Sequence, residues 1–169
     1  MAGMNMGEKQ AMLRHFLAAL AYRTQKALRD APEGFAEFDA GNMIRTPQEL
    51  LRHMTSVLGY ARSCFRGDQY RPEPLPTFNE EIQRFHSVLE DLSAHLEADD
   101  PLADVTPEQL LQGPFADAMT HAGQLALLRR LYGSPVPPEI FVLADVDPSN
   151  VGADQPMPRG PKATWPEKL

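Results

Sequence analysis

Residues 77–96 read TFNEEIQRFHSVLEDLSAHL, and this stretch decides the fold class. Phe78, Ile82, Phe85, Leu89, Leu92 and Leu96 recur at intervals that alternate between four and three, which draws one narrow apolar seam along an α-helix. Thr77 stands three residues before Glu80. In such a capping box the threonine hydroxyl accepts from a free amide of the first turn, while the carboxylate reaches back to the cap amide. The same device recurs in Thr46-Pro-Gln-Glu49 and Thr106-Pro-Glu-Gln109, with Pro47 and Pro107 at the first helical position, where a missing N–H costs nothing. Three helix starts are therefore marked. Gly133 followed by Ser134-Pro135 marks a stop, because glycine accepts a left-handed turn and proline forbids continuation.

Working outward, a helix from about Glu8 to Asp30 carries Leu13, Phe16, Leu17, Leu20, Thr24, Ala27 and Leu28 on one face. A second, from Pro47 to about Arg66, carries Leu50, Met54, Val57, Leu58, Ala61 and Phe65. After a short turn at Pro107 a last long helix is expected from about Pro114 to Tyr132. Four amphipathic helices, each roughly 30 Å long, bury their stripes most simply against one another, so residues 1–135 are expected to form an all-α, four-helix bundle. Of the 16 prolines, none precedes Pro32 and half lie from Pro135 onward. Residues 136–169 thus read as a Pro-rich extension. Its apolar run Ile140-Phe-Val-Leu143 is expected to dock on the bundle, and the last ten or so residues to be mobile.

Sixteen Lys and Arg against 23 Asp and Glu give a formal charge of −7 and a pI near 5.2, which argues against nucleic acid or an anionic membrane surface as partner. The single cysteine, Cys64, forms no internal disulfide, and no leader-like or membrane-spanning stretch stands out; the cytosol is the expected location. Cys64 itself reads as a small core hydrophobe.

The anomaly lies in the last helix. Taking Asp117 as the origin and advancing 100° per residue places His121 at about 40°, Gln124 at about 340° and Leu128 at about 20°. Three polar groups thereby share the central line of the leucine face, while Arg129 and Arg130 fall on the opposite side, where solvent is expected. Asp117 and His121, one turn apart, have the spacing at which two side chains hold one ion. On the second helix His53 lies about 90° from the apolar centre, with Tyr60 below it, at the edge of the interior and within reach of the last helix. His53, Asp117 and His121 would make three ligands with positions left open, the arrangement of a catalytic metal site.

The stretches Leu111-Gln-Gly-Pro-Phe-Ala-Asp117-Ala-Met-Thr-His121-Ala-Gly-Gln124-Leu-Ala-Leu-Leu-Arg129-Arg and Glu49-Leu-Leu-Arg-His53-Met resemble the last and second bundle helices of the DinB/YfiT-like superfamily. The resemblance covers about residues 8–135. It implies a four-helix bundle holding a divalent metal, most often zinc or nickel, with His53 and His121 in the positions of two ligating histidines. Asp117 stands where the more usual pattern has histidine, and the branch similar to mycothiol-dependent maleylpyruvate isomerase has a carboxylate there. The resemblance further implies a homodimer acting on a small-molecule substrate, as a transferase or isomerase using a low-molecular-weight thiol such as mycothiol or bacillithiol, or as a hydrolase.

The residues also admit a plainer reading. Asp117 and His121 would then be a buried ion pair that fixes helix register, in a non-catalytic dimeric bundle, and His53 a boundary histidine bonded to a loop carbonyl. Tyr60 is expected at the mouth of the site, and Gln124 to orient a ligand rather than to bind the ion. His15 and His95 read as surface residues, His86 as the one spare ligand, and Gly123 as a point of close helix approach.

Overall fold

The computed structural model describes residues 4–158. Its helices are α1 (Met6–Leu28), α2 (Pro47–Arg66), α3 (Phe78–Glu97), the short α4 (Pro107–Leu110) and α5 (Ala116–Leu131), with a π-helical turn at Leu111–Phe115 and a 3-10 turn at Phe141–Leu143. No strand occurs among the described residues, and no helix there is long and apolar enough to cross a membrane.

Local chemistry sets the boundaries. Thr46, Thr77 and Thr106 each form the expected reciprocal box with Glu49, Glu80 and Gln109. A fourth box, Asn5 with Glu8, starts α1 two residues before the predicted position. At the far end of α5, Ser134 N–H reaches the Arg129 carbonyl and Gly133 N–H that of Arg130, with Gly133 at φ 91°. Both orphan carbonyls are satisfied by a left-handed turn that a side chain would strain.

α1 and α2 each pack on both α3 and α5, so the order around the bundle is α1, α3, α2, α5, with α1 and α2 on a diagonal. Leu17, Leu20, Met54, Leu58, Phe85, Leu89, Leu92 and Leu125 fill the interior and are fully buried. One carboxylate joins them. Glu81 accepts from Arg52 Nε at 2.7 Å, from the Leu75 amide at 3.0 Å and from Arg84, which links α3 to α2 without leaving a buried charge unpaired.

Four expectations are corrected. Arg129 does not face solvent: it is 5 % exposed and donates to the carbonyls of Ala27, Arg29, Asp30 and Ser134. A guanidinium has five donors and no acceptor, so it meets the exposed carbonyls at the negative end of α1 with complementary charge. Gly123 is not at a close approach, since a Cβ there would meet nothing within 4 Å. His86 is not free to ligate: it is buried, its Nδ1 lies 2.9 Å from the Val151 carbonyl and its Nε2 3.2 Å from the Gln25 side-chain amide. His95 is largely covered, stacked on Phe65 and bonded to Asp100 at 2.7 Å.

The extension docks differently from the way its apolar run suggests. Ile140, Val142 and Leu143 are exposed. Phe141 alone packs, edge-on to Tyr22, while Glu139 accepts from Tyr22 Oη and from Lys26 Nζ at 2.7 Å. Val151 is buried in the core and Gln155 is buried beside it. The expected mobility of the final residues concerns positions outside the described ones.

Candidate metal centre

α2 and α5 lie side by side, and the chain enters α5 through the break at Gly113, whose φ and ψ of −93° and −105° are not helical. Pro114 follows it inside the π-helical turn, and the pair turns the first residues of α5 toward α2. His53 on α2 then faces Asp117 and His121 on α5. Their ligand atoms lie within 4.8 Å of one another. The imidazoles of His53 and His121 meet edge-on with centroids 4.8 Å apart, and Asp117 Oδ1 lies 3.3 Å from His121 Nε2.

These distances suit an ion. Donors 2.0–2.2 Å from a tetrahedral centre stand roughly 3.3 Å apart, which is the Asp117–His121 separation as it stands. The wider pairs need a closure of no more than about 1.5 Å on the same criterion, within the range of small side-chain rotations. Hydrogen bonding fixes which nitrogen is offered. His121 Nδ1 donates to Gln124 Oε1 at 2.8 Å, so Nε2 presents its lone pair toward the Asp117 carboxylate, and two acceptors facing each other require a cation or a proton between them. Burial lowers the pKa of His53. Arg45 and His121 push it the same way and only Asp117 opposes them, so at neutral pH His53 is an uncharged imidazole with a lone pair to offer.

Asp117 is not on the central line of a buried face. The buried residues of α5 are Ala118, His121, Ala122, Leu125, Leu128 and Arg129, an arc centred roughly 80° round from Asp117. His121 is inside, 8 % exposed, whereas the Asp117 side chain is 49 % exposed and sits on the rim. Leu127 and Leu131 are about half exposed. His53 is half-buried, and no described loop carbonyl bonds it.

An open cavity of about 750 Å³ lies against His53 and Asp117, walled also by Ser56, Val57, Tyr60 and Pro114, while His121 does not line it. Tyr60 is more than half exposed at its mouth, and Gln124, expected on the central line of the buried face, is exposed and does not line this opening. Arg45 was missed from sequence. It enters through its field on His53, from the loop before α2, where Gly41, Asn42 and Met43 all have positive φ; the only sequence cue is the Gly41-Asn42 pair, which favours such turns. Cys64 is buried and its thiol is pushed up by desolvation, which leaves it an unreactive core residue.

Compared with family models, curated proteins and solved structures, the chain has no significant match to any.

Proposed function

We propose that the chain is a metal-dependent enzyme of the DinB/YfiT-like type, in which His53, Asp117 and His121 hold a divalent ion, zinc or nickel, and act on a small molecule. The observation that carries this reading is the pairing of a buried imidazole, held by Gln124 in the tautomer that offers Nε2, with a carboxylate at ligand spacing. A packing device is the weaker account. An ion pair with one half-exposed partner contributes about 0–1 kcal/mol, too little to fix the register of a bundle.

Such an ion supplies Lewis acidity, which acidifies a water or thiol and polarises a carbonyl at neutral pH. The chain's own residues do the rest. Gln124 keeps the Nδ1 proton of His121 in place; His53 stays neutral because burial and Arg45 oppose its protonation. Val57, Pro114 and the Tyr60 ring make an apolar wall, and the Ser56 and Tyr60 hydroxyls offer polar contacts to a substrate entering from the open side. With three protein donors, further positions are left for substrate and a thiol cosubstrate.

Elemental analysis of protein purified without a metal-binding tag should find about one divalent ion per chain. At a hundredfold its dissociation constant that ion stabilises the fold by about 2.7 kcal/mol, so a chelator should lower Tm by about 5–10 °C and zinc or nickel should restore it. Asp117→Ala should abolish that response while changing apoprotein stability by less than about 1 kcal/mol. A parent protein without metal, and with a Tm indifferent to chelator and added ion, would remove the proposal.

A further inference from the structure

The face of α5 opposite the trio borders a second cavity, of about 650 Å³, between α1, α5 and residues 136–141. Its floor is Ala27, Ala122, Gly123 and Ala126. The charged groups that line it are Arg23, Lys26, Arg130 and Glu139, so three cations face one carboxylate on a chain whose formal charge is −7. Lys26 and Glu139 satisfy each other at 2.7 Å. The two guanidiniums are left over. Arg23 stands over the Phe141 ring, its Cζ 3.5 Å from the centroid, and no described acceptor takes a hydrogen bond from it. Burial moreover lowers its pKa, with only Glu139 acting to raise it. Arg130 is exposed at the rim, and no described acceptor takes its hydrogen bonds.

Gly123 gives the second, independent indication. A glycine inside a helix is less favourable than alanine by about 1 kcal/mol. Close packing does not explain it here, because the space where its Cβ would stand is empty and is part of this cavity. The result is a small-residue, apolar floor walled by two guanidinium forks whose N–H groups meet no described hydrogen-bond acceptor and match the oxygens of a carboxylate or phosphate.

We propose that this cavity binds a small organic anion, a carboxylate or phosphate monoester on a compact apolar body, with Arg23 and Arg130 taking the anionic head and the Gly123–Ala126 floor taking the body. Its volume is that of an ordinary small-molecule site. The proposal does not depend on the metal centre, which lies on the other side of α5.

The test uses the full chain and octanoate, octyl phosphate, octanamide and octylammonium as probes, followed by amide chemical shifts and calorimetry. One or both anions should bind, the neutral amide and the cation at least tenfold more weakly, with the largest shifts at Gly123, Ala126 and Leu127. The stronger of the two anions identifies the head group. Arg23→Gln and Arg130→Gln should each weaken binding several-fold, and together at least tenfold, while Arg130→Lys retains part of it. Gly123→Leu, which fills the floor on a residue that favours helix, should abolish binding with Tm unchanged or raised. Equal binding of octanamide, affinity unaltered in the double arginine variant, no binding by either anion, or shifts centred on residues 53–60 and 113–120 would each overturn the assignment.

Discussion

Arg129 shows most sharply how one residue takes its role from partners far away in the chain. Its fork closes the carbonyl end of α1 and the turn after α5 at once, against Ala27, Arg29, Asp30 and Ser134. Arg129→Met keeps much of the volume but strands these acceptors, and is expected to cost about 2–4 kcal/mol in urea unfolding, since each unpaired buried acceptor costs about 1–3 kcal/mol. Arg129→Lys keeps the charge without the fork and should recover only part of that. A Met variant within about 0.5 kcal/mol of the parent would mean that water already serves those carbonyls. Beside Arg130, Arg129 reads as one of a solvated pair, because three of its four partner residues lie about a hundred positions earlier and the fourth, Ser134, offers no sign of the contact in sequence. Asp117 and His121 were legible as a pair because their spacing is local. The depth of His121 was legible too, but that of Asp117 was not, since the rotation of α5 is decided by what α1 and α2 press against it and by the break at Gly113.

At the scale of the elements, two glycines make opposite predictions from the same substitution. Gly59 on α2 is covered by the Tyr70 ring, whose Cδ1 would lie 1.9 Å from an added Cβ; the ring is also held under Arg62, 4.8 Å from its centroid. Gly59→Ala must expel it and should destabilise by about 1–3 kcal/mol. Gly123→Ala adds a methyl to open space and should stabilise by up to about 1 kcal/mol. Thermal unfolding of the two variants should move in opposite directions, and a shift of the same sign in both would contradict the packing described for one of them. The helix starts were readable because a threonine and a glutamate three residues on settle a cap between themselves. The tail was misread for the complementary reason. Ile140-Phe-Val-Leu143 is apolar enough to dock, yet one side chain in it does so, and the firmer anchor is Val151, which an isolated valine in polar sequence does not reveal.

For the whole molecule, that anchor makes the extension sensitive to pH. His86 donates from Nδ1 to the Val151 carbonyl. Burial lowers its pKa, against the Val151 carbonyl and the Glu90 carboxylate, which act to raise it. The unfolded chain therefore binds the proton more readily. The contribution of His86 is complete above the unfolded value of about 6.5 and is lost as pH falls below it toward the depressed folded value. Protection of the amides around Val151 and Gln155, measured by hydrogen exchange relative to the intrinsic rate at each pH, should fall between neutral and mildly acid pH in the parent but not in His86→Gln. Association is expected too. Met43, Ile44, Leu127 and Leu131 are exposed and border one groove of about 550 Å³, and an apolar surface of this kind favours a homodimer; light scattering at micromolar protein should give twice 18.8 kDa, and a monomeric mass there would count against it. The diagonal placement of α1 and α2 carries a consequence for synthesis. α1 and α2, though consecutive, do not pack on each other, and each has α5, which emerges from the ribosome after the other three long helices, as one of its two neighbours. The α2–α3 hairpin can close first and α1 can join it through α3, but the faces of α1 and α2 that meet α5 stay open until Ala116–Leu131 arrive, so a nascent protein halted before residue 116 exposes an apolar groove along three helices and is a client for chaperones.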